Sequence, residues 1–308
     1  MEIGKKFLII DSNSVIHRAF HALPPLTNSE GVVINAAYGF FSVLIKSVRE
    51  IEPDCVIATF DLPGPTFRHK EFKEYKADRP STPKELIDQF SIIKNGLISL
   101  EVPVVEKVGF EADDMIGTIT RLVSEQKVGH SVILSGDKDN LQLVGPTTEV
   151  CLLKKGIKDI LIYDVAKIKN DYQDLKPQQL IEVKALQGDP SDNILGVPGI
   201  GVKIALDLIS RFGNLEKIYE EVDRGSKAIT PSVASKLSDN RNQAFMSRSL
   251  VTIKTDVDLG SLDLTECRWN GFETLKAMEY FERMGFDTLI KRIKIVNGEP
   301  KKQNLSLF

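Results

Sequence analysis

The 308-residue chain is predicted to adopt an α/β fold, with a mostly parallel central sheet flanked by helices and joined to a mainly helical second region. Two features support this prediction. In the first half, short apolar runs typical of buried strands alternate with segments of helical periodicity. Each run leads to an acidic residue, as expected where parallel strands end at one edge of a sheet.

Four strand-like runs occur in the first half. They lie at residues 7–10, 55–60, 102–105 and 131–134. Between them, apolar residues recur at helical spacing. Helices are therefore expected just after Asp11 and at 35–51, 83–100 and 115–125.

The second half has helical periodicity and glycine-rich turns. Its helices are expected at 177–187, 203–212, 214–222, 231–250 and 272–284. We therefore predict an α/β core over 1–175 and a helical subdomain over 176–290. The polar residues 297–308 are predicted to form a flexible tail.

Composition excludes several classes of protein. The three cysteines are far apart and form no Cys-x-x-Cys pair, so neither a disulfide framework nor a zinc site is expected. The apolar run before Asp11 is too short for a signal peptide or a membrane span, so we expect a cytoplasmic protein. The net charge of −3 argues against a nucleic-acid partner unless the acids are segregated, which would leave the remainder of the chain positive.

Nine acids follow the predicted strands or occupy a loop of the second half. They are Asp11, Asp61, Glu111, Asp113, Asp114, Asp137, Asp139, Asp189 and Asp192. Oxygen-only ligation suits Mg²⁺ or Mn²⁺, and two ions about 4 Å apart would support phosphodiester cleavage. Alternatively, individual acids are helix caps or solvated turn residues. An EF-hand is excluded because Gln142 and Thr148 stand where that loop requires Gly and Glu.

Two further segments have the composition of nucleic-acid contacts. Residues 67–80 interleave cations with aromatic rings, which suits a single strand, although a solvated helix has similar composition. Its predicted DNA contacts are Arg68, Lys70, Lys73 and Tyr75. The turn containing Gly199, Gly201 and Lys203 offers N–H groups and a charge to a phosphate, although a helix packing corner is the alternative.

These motifs together resemble the 5′-nuclease domain of bacterial DNA polymerase I and the flap endonuclease family. The resemblance covers about residues 7–290. Its characteristic stretches are Ile9-Ile10-Asp11, Tyr75-Lys76-Ala77-Asp78-Arg79, Glu111-Ala112-Asp113-Asp114, Gly136-Asp137-Lys138-Asp139 and Gly188-Asp189-Pro190-Ser191-Asp192. It implies a PIN-like core, a helical arch over about 68–100 and a helix-three-turn-helix element over about 187–212.

The resemblance also implies roles for individual residues. The catalytic ion would be held by Asp11, Asp61, Glu111 and Asp113, with Asp113 central to catalysis. A second ion would be held by Asp114, Asp137, Asp139, Asp189 and Asp192, so that the Glu111–Asp114 motif would bridge the two ions. Lys76 and Arg79 would contact the scissile phosphate, and a potassium ion would bind near the glycine turn.

The expected function is therefore that of a metal-dependent, structure-specific 5′ nuclease that removes 5′ flaps and RNA-primed ends in replication and repair. We expect a monomeric nuclease without polymerase activity, which is either a standalone protein or an excised fragment. The C-terminal residues Gln303, Leu305, Leu307 and Phe308 resemble a peptide that binds the bacterial sliding clamp. The alternatives are an RNA-directed nuclease and a non-cleaving DNA-binding clamp adaptor.

Overall fold

A computed structural model describes residues 4–154, 156–157, 159–260, 262–272 and 274–298. The residues predicted to bind the clamp lie outside these ranges. Across the described helices, none is long and apolar enough to span a membrane.

Six strands form one sheet. They are β1 (Lys5–Asp11), β2 (Cys55–Thr59), β3 (Val104–Val105), β4 (Gly129–Ser135), β5 (Thr148–Leu153) and β6 (Ile160–Tyr163). The strand order is β3-β2-β1-β4-β5-β6, and only the β5–β6 pair is antiparallel. The prediction of a mostly parallel sheet is confirmed, although β5 and β6 were not predicted.

Thirteen α-helices are described within these ranges. They are α1 (Ser12–Ala22), α2 (Asn35–Ile51), α3 (Phe67–Glu71), α4 (Lys84–Ser99), α5 (Ala112–Glu125), α6 (Val165–Asp171), α7 (Gln179–Gln187), α8 (Val202–Phe212), α9 (Leu215–Asp223), α10 (Pro231–Asp239), α11 (Arg241–Val251), α12 (Leu275–Arg283) and α13 (Asp287–Gly298). The single helix predicted over 231–250 is wrong, because the chain leaves helical geometry at Asn240 (φ −122°, ψ 24°) and forms α10 and α11.

Both faces of the sheet are buried. Along β1, Leu8 and Ile10 pack with α1, α2 and α4, whereas Phe7 and Ile9 pack against α5 on the opposite face. This alternation follows from the two-residue period of a strand. Helices α7 to α11 enclose a separate apolar cluster around Tyr219. The sheet is therefore covered by helices on both faces, and its carboxyl edge is where strand-end side chains can form a site.

The segment expected as an arch over 68–100 has two parts. Most of its second part is α4, which packs on the core through Leu86, Ile93 and Leu97, each 0% exposed. The first part consists of α3 and a turn segment over 72–83. Only this first part lies over the carboxyl edge of the sheet, where it lines the crevice described below.

Cys55 and Cys267 form a disulfide with a Cα–Cα distance of 5.5 Å. The sequence suggested no disulfide framework, so this pairing corrects that expectation. The two residues are 212 positions apart, so sequence spacing carried no signal of their contact. Nearby, the Lys5 ammonium donates to the Cys267 carbonyl at 3.2 Å, which further holds this segment against the sheet.

Candidate active site

Neighbouring strands deliver four of the predicted acids to one edge. Asp11 ends β1, Asp61 follows β2, and Asp137 and Asp139 follow β4. Because β2, β1 and β4 are adjacent and parallel, their carboxyl ends meet. Helix α5 adds Glu111 at its N-cap and Asp113 in its first turn.

The helical region contributes two more acids. After α7, Gly188 adopts φ +77° and Asp189 caps a short 3₁₀ helix, Pro190–Asp192. Oxygen atoms of Asp139, Asp189 and Asp192 all lie within 4.8 Å of one another. Three carboxylates at this spacing can ligate one divalent cation. These three acids therefore join the α/β core to the helical region.

Burial and mutual repulsion disfavour charge on the acids at the centre of the site. Asp11 is 4% exposed, and burial raises its pKa to about 6 although the Ser135 hydroxyl donates to it at 2.6 Å. Burial, followed by the charges of Asp11 and Asp137, raises the pKa of Asp113 well above its ordinary value. Such a set is stabilised when a cation binds among the carboxylates.

Three other acids of the site are held by backbone and side-chain donors. The Ala112 N–H donates to Asp61 at 2.6 Å, and burial raises the pKa of Asp61. Asp139 has its pKa raised to about 6, mainly by burial and then by Asp137. Asp189 behaves differently, since burial alone would raise its pKa but the Lys184 ammonium holds it below its ordinary value.

Three cationic side chains share the crevice with these acids. The Lys76 ammonium lies 2.8 Å from Glu111, and the Arg79 guanidinium lies 2.5 Å from Asp192. The Lys184 ammonium contacts Asp139 and lies 2.6 Å from Asp189. Lys76 also adopts the left-handed φ of +57°, and its N–H donates to the Asp192 carbonyl at 2.9 Å. The segment over 67–83, which crosses the crevice and is called the crossing segment below, is therefore anchored over the acids.

Lys184 was missed by the sequence prediction. It lies in the last turn of α7, one helical turn before Gly188 and the loop that carries Asp189. A lysine in that position was a weak signal, because cations are common at helix C-termini. Its contact with Asp139, 45 residues away, arises only from the packing of α7 against the core.

The surroundings of Asp114 argue against its predicted role as a metal ligand. Its side chain is 0% exposed, and both oxygens accept hydrogen bonds from the Arg68 guanidinium at 2.8 Å. The backbone N–H groups of Glu111 and Lys254 donate to the same carboxylate, at 3.0 and 2.9 Å. Successive helical residues point about 100° apart, so Asp113 faces the other acids while Asp114 faces Arg68. Asp114 therefore lies apart from the acid cluster, and the prediction that this motif bridges two ions gains no support from its geometry.

Two of the predicted DNA contacts are also structural. Arg68 is 3% exposed and, besides Asp114, donates to the carbonyls of Leu250 and Thr252. Tyr75 is 3% exposed, and its hydroxyl lies 3.1 Å from both Glu111 and Asp192. Neither side chain is free for a phosphate or a base, because burial and these partners already occupy it.

The other predicted DNA contacts lie on the surface. Lys70 and Lys73 are exposed on the segment that crosses the crevice. Gly199 adopts φ +77°, and Gly201 precedes α8, where Lys203 is exposed. No side chain caps the first turn of α8 among the described contacts, so its N–H groups remain available to an anion.

A parallel sheet with an oxygen-rich crevice at its carboxyl edge, closed by lysine and arginine and followed by a helical region, defines a class of α/β nucleases. Two family models match this chain. One, described as the 5′-3′ exonuclease N-terminal resolvase-like domain, matches residues 6–173. The other, described as the 5′-3′ exonuclease C-terminal SAM fold, matches residues 175–274. The chain belongs to the 5′-3′ exonuclease family.

Curated relatives include DNA polymerase I of Bacillus subtilis, which is 40% identical over 290 residues, 94% of this chain and 32% of that protein. DNA polymerase I of Bacillus caldotenax is 37% identical over 300 residues, 97% of this chain and 33% of that protein. The chain therefore spans about a third of the length of the curated relatives it matches.

Solved structures share the fold. The T5 D15 protein, co-crystallised with metal ions, has a TM-score of 0.66 at 21% identity, covering 95% of this chain and 98% of that chain. The catalytic core of Rad2 in complex with a DNA substrate has a TM-score of 0.60 at 15% identity, covering 97% of this chain and 93% of that chain. At these identities the similarity shows a shared fold and nothing beyond the fold.

Proposed function

We propose that this chain is a metal-dependent, structure-specific 5′ nuclease that cleaves DNA flaps, 5′ ends and RNA-primed junctions in replication and repair. The observation that carries the proposal is the convergence of eight of the nine predicted acids on one edge of the sheet, next to Lys76 and Arg79. A non-cleaving adaptor would have no need to bury these repelling carboxylates.

The acid set fits hard divalent cations, because its donors are oxygens and several carry raised pKa values in the absence of an ion. One ion would be held by Asp11, Asp61, Glu111 and Asp113. The other would be held by Asp137, Asp139, Asp189 and Asp192. When bound, Mg²⁺ or Mn²⁺ supplies Lewis acidity at the phosphate and lowers the pKa of water.

Lys76 and Arg79 would position and neutralise the scissile phosphate. Both are now paired with carboxylates assigned to the ions, Glu111 and Asp192. The ammonium and the guanidinium would exchange these carboxylate partners for a phosphate that enters the crevice. Charge that develops on the phosphate oxygens is then met by fixed donors, which favours the transition state.

Exposed groups outside the crevice would hold the DNA. Lys70 and Lys73 would contact the 5′ strand, and Gly199, Gly201 and Lys203 would bind a duplex phosphate at the start of α8. We also propose that a potassium ion binds near this turn. The protein would act in the cytoplasm as a monomer, and Gln303, Leu305, Leu307 and Phe308 would dock on the sliding clamp.

The test compares cleavage of a 5′-labelled flap, a plain duplex and an RNA–DNA hybrid with Mg²⁺. We expect flap cleavage by the wild type and loss of it in Asp113→Ala. No flap cleavage by the wild type, or equal cleavage by the variant, would overturn the proposal. Deletion of residues 303–308 should abolish clamp binding and spare cleavage; unchanged clamp binding would refute the docking role.

A further inference from the structure

Lys184 lies between acids from two parts of the chain. Its ammonium contacts Asp139, which follows β4, and Asp189, which caps the 3₁₀ helix after α7. These are two of the three carboxylates whose oxygens lie within 4.8 Å of one another, Asp192 being the third. The Lys184 ammonium therefore contacts two of the three carboxylates that could ligate one cation.

This arrangement differs from that of the other cations in the crevice. Lys76 and Arg79 belong to the crossing segment and contact Glu111 and Asp192, one acid in each proposed ion group. Lys184 instead contacts two acids of a single group. Its helix is fixed, since Val183 and Leu186 are buried in the helical cluster, whereas its own side chain is 21% exposed.

We propose that Lys184 is an internal counter-cation that competes with the divalent ion of the second group. In the ion-free protein, its ammonium offsets the repulsion between Asp139 and Asp189 and ties α7 to the core. Binding of the second ion to the same oxygens displaces the ammonium, because two cations cannot share them without strong repulsion. The second ion therefore binds more weakly than it would without Lys184.

This inference rests on the proposed function, because it concerns the second of the two proposed ions. The predicted effect of replacing Lys184 is opposite to that of replacing a carboxylate that ligates the ion. Loss of an acid weakens ion binding, whereas loss of Lys184 strengthens it. Tighter binding in the absence of Lys184 is expected from thermodynamic linkage, because an interaction that stabilises only the ion-free state lowers the apparent affinity for the ion.

The experiment is a calorimetric titration with Mn²⁺ on the wild type, Lys184→Met, Lys184→Arg and the matched control Lys217→Met, which removes an exposed lysine of α9. One Mn²⁺ binding step should tighten about tenfold in Lys184→Met, within the usual range of coupling between two sites. Lys184→Arg should keep weak binding, and the control should match the wild type. In EDTA, Lys184→Met should melt at a lower temperature and gain more from Mn²⁺ than the wild type does.

Equal or weaker Mn²⁺ binding by a natively folded Lys184→Met would overturn the inference and leave the proposed metal site standing. Wild-type protein that binds no Mn²⁺ would overturn the proposed function, and the inference with it. If Lys184→Met does not fold in EDTA, Lys184→Gln gives the same comparison through a side chain that can still donate a hydrogen bond.

Discussion

Asp114→Asn is expected to weaken the fold while sparing the response to divalent ions. The substitution removes the negative charge that partners the buried guanidinium of Arg68. The neighbouring variant Asp113→Asn should do the reverse, because Asp113 faces Asp11 and Asp137 instead. The two substitutions are chemically identical and differ only in the direction of the side chain on α5.

The magnitude follows from burial and hydrogen bonding. Arg68 and Asp114 are 3% and 0% exposed, and the carboxylate accepts four hydrogen bonds of 2.8 to 3.0 Å. Breaking a buried ion pair by neutralising one partner costs about 3–5 kcal/mol. Arg68 keeps two carbonyl acceptors and Glu111 at 3.5 Å, so the lower end of that range applies. The melting temperature should fall by about 10 °C.

The assay is thermal unfolding in EDTA and in Mg²⁺ for the wild type and both variants. Asp114→Asn should melt lower in EDTA and rise with Mg²⁺ by as much as the wild type does. Asp113→Asn should melt near or above the wild type in EDTA, since one repelling charge is removed, and should lose most of the Mg²⁺ shift. If Asp114→Asn keeps the wild-type melting temperature in EDTA but loses the Mg²⁺ shift, Asp114 is a metal ligand and the reasoning is refuted.

Three other predictions concern stability. Cys267→Ser should lower the unfolding free energy by about 2–5 kcal/mol in oxidised protein, and denaturant melts with and without reductant check this because a reduced wild type should match the variant. Gly196→Ala should destabilise by more than about 1 kcal/mol, because a Cβ at φ +60° would lie 2.3 Å from the Gly188 nitrogen; Gly201→Ala, with nothing within 4 Å, should change little. The pKa of Asp11 is raised to about 6 in the folded protein, so the folded state keeps a proton on this carboxyl at pH values where the unfolded state has released it. The stability that comes from binding this proton is complete below about pH 4 and is lost as the pH rises through 6. Melts in EDTA should show this decline in the wild type and a smaller decline in Asp11→Asn, and an unchanged slope in the variant would contradict it.

Much of the architecture was predictable from local patterns. The run that leads into Asp11 is apolar on both faces of its strand, and only a sheet covered on both sides accommodates that pattern. Helix α2 was predicted with the bounds that the structure shows. Strand β6 was missed because it has four residues at the edge of the sheet, with Ile162 55% exposed, so its pattern is short and mixed.

The candidate site was also predictable only in part. Local sequence determined which acids follow strands, and parallel pairing then required several of them to meet. Tertiary structure decided the role of Asp114, which depends on what α5 packs against, and the contact of Lys184 with Asp139. It also decided the pairing of Cys55 with Cys267. The physical reason is that pattern and spacing encode the period of an element, whereas the partner of a side chain depends on where distant elements pack.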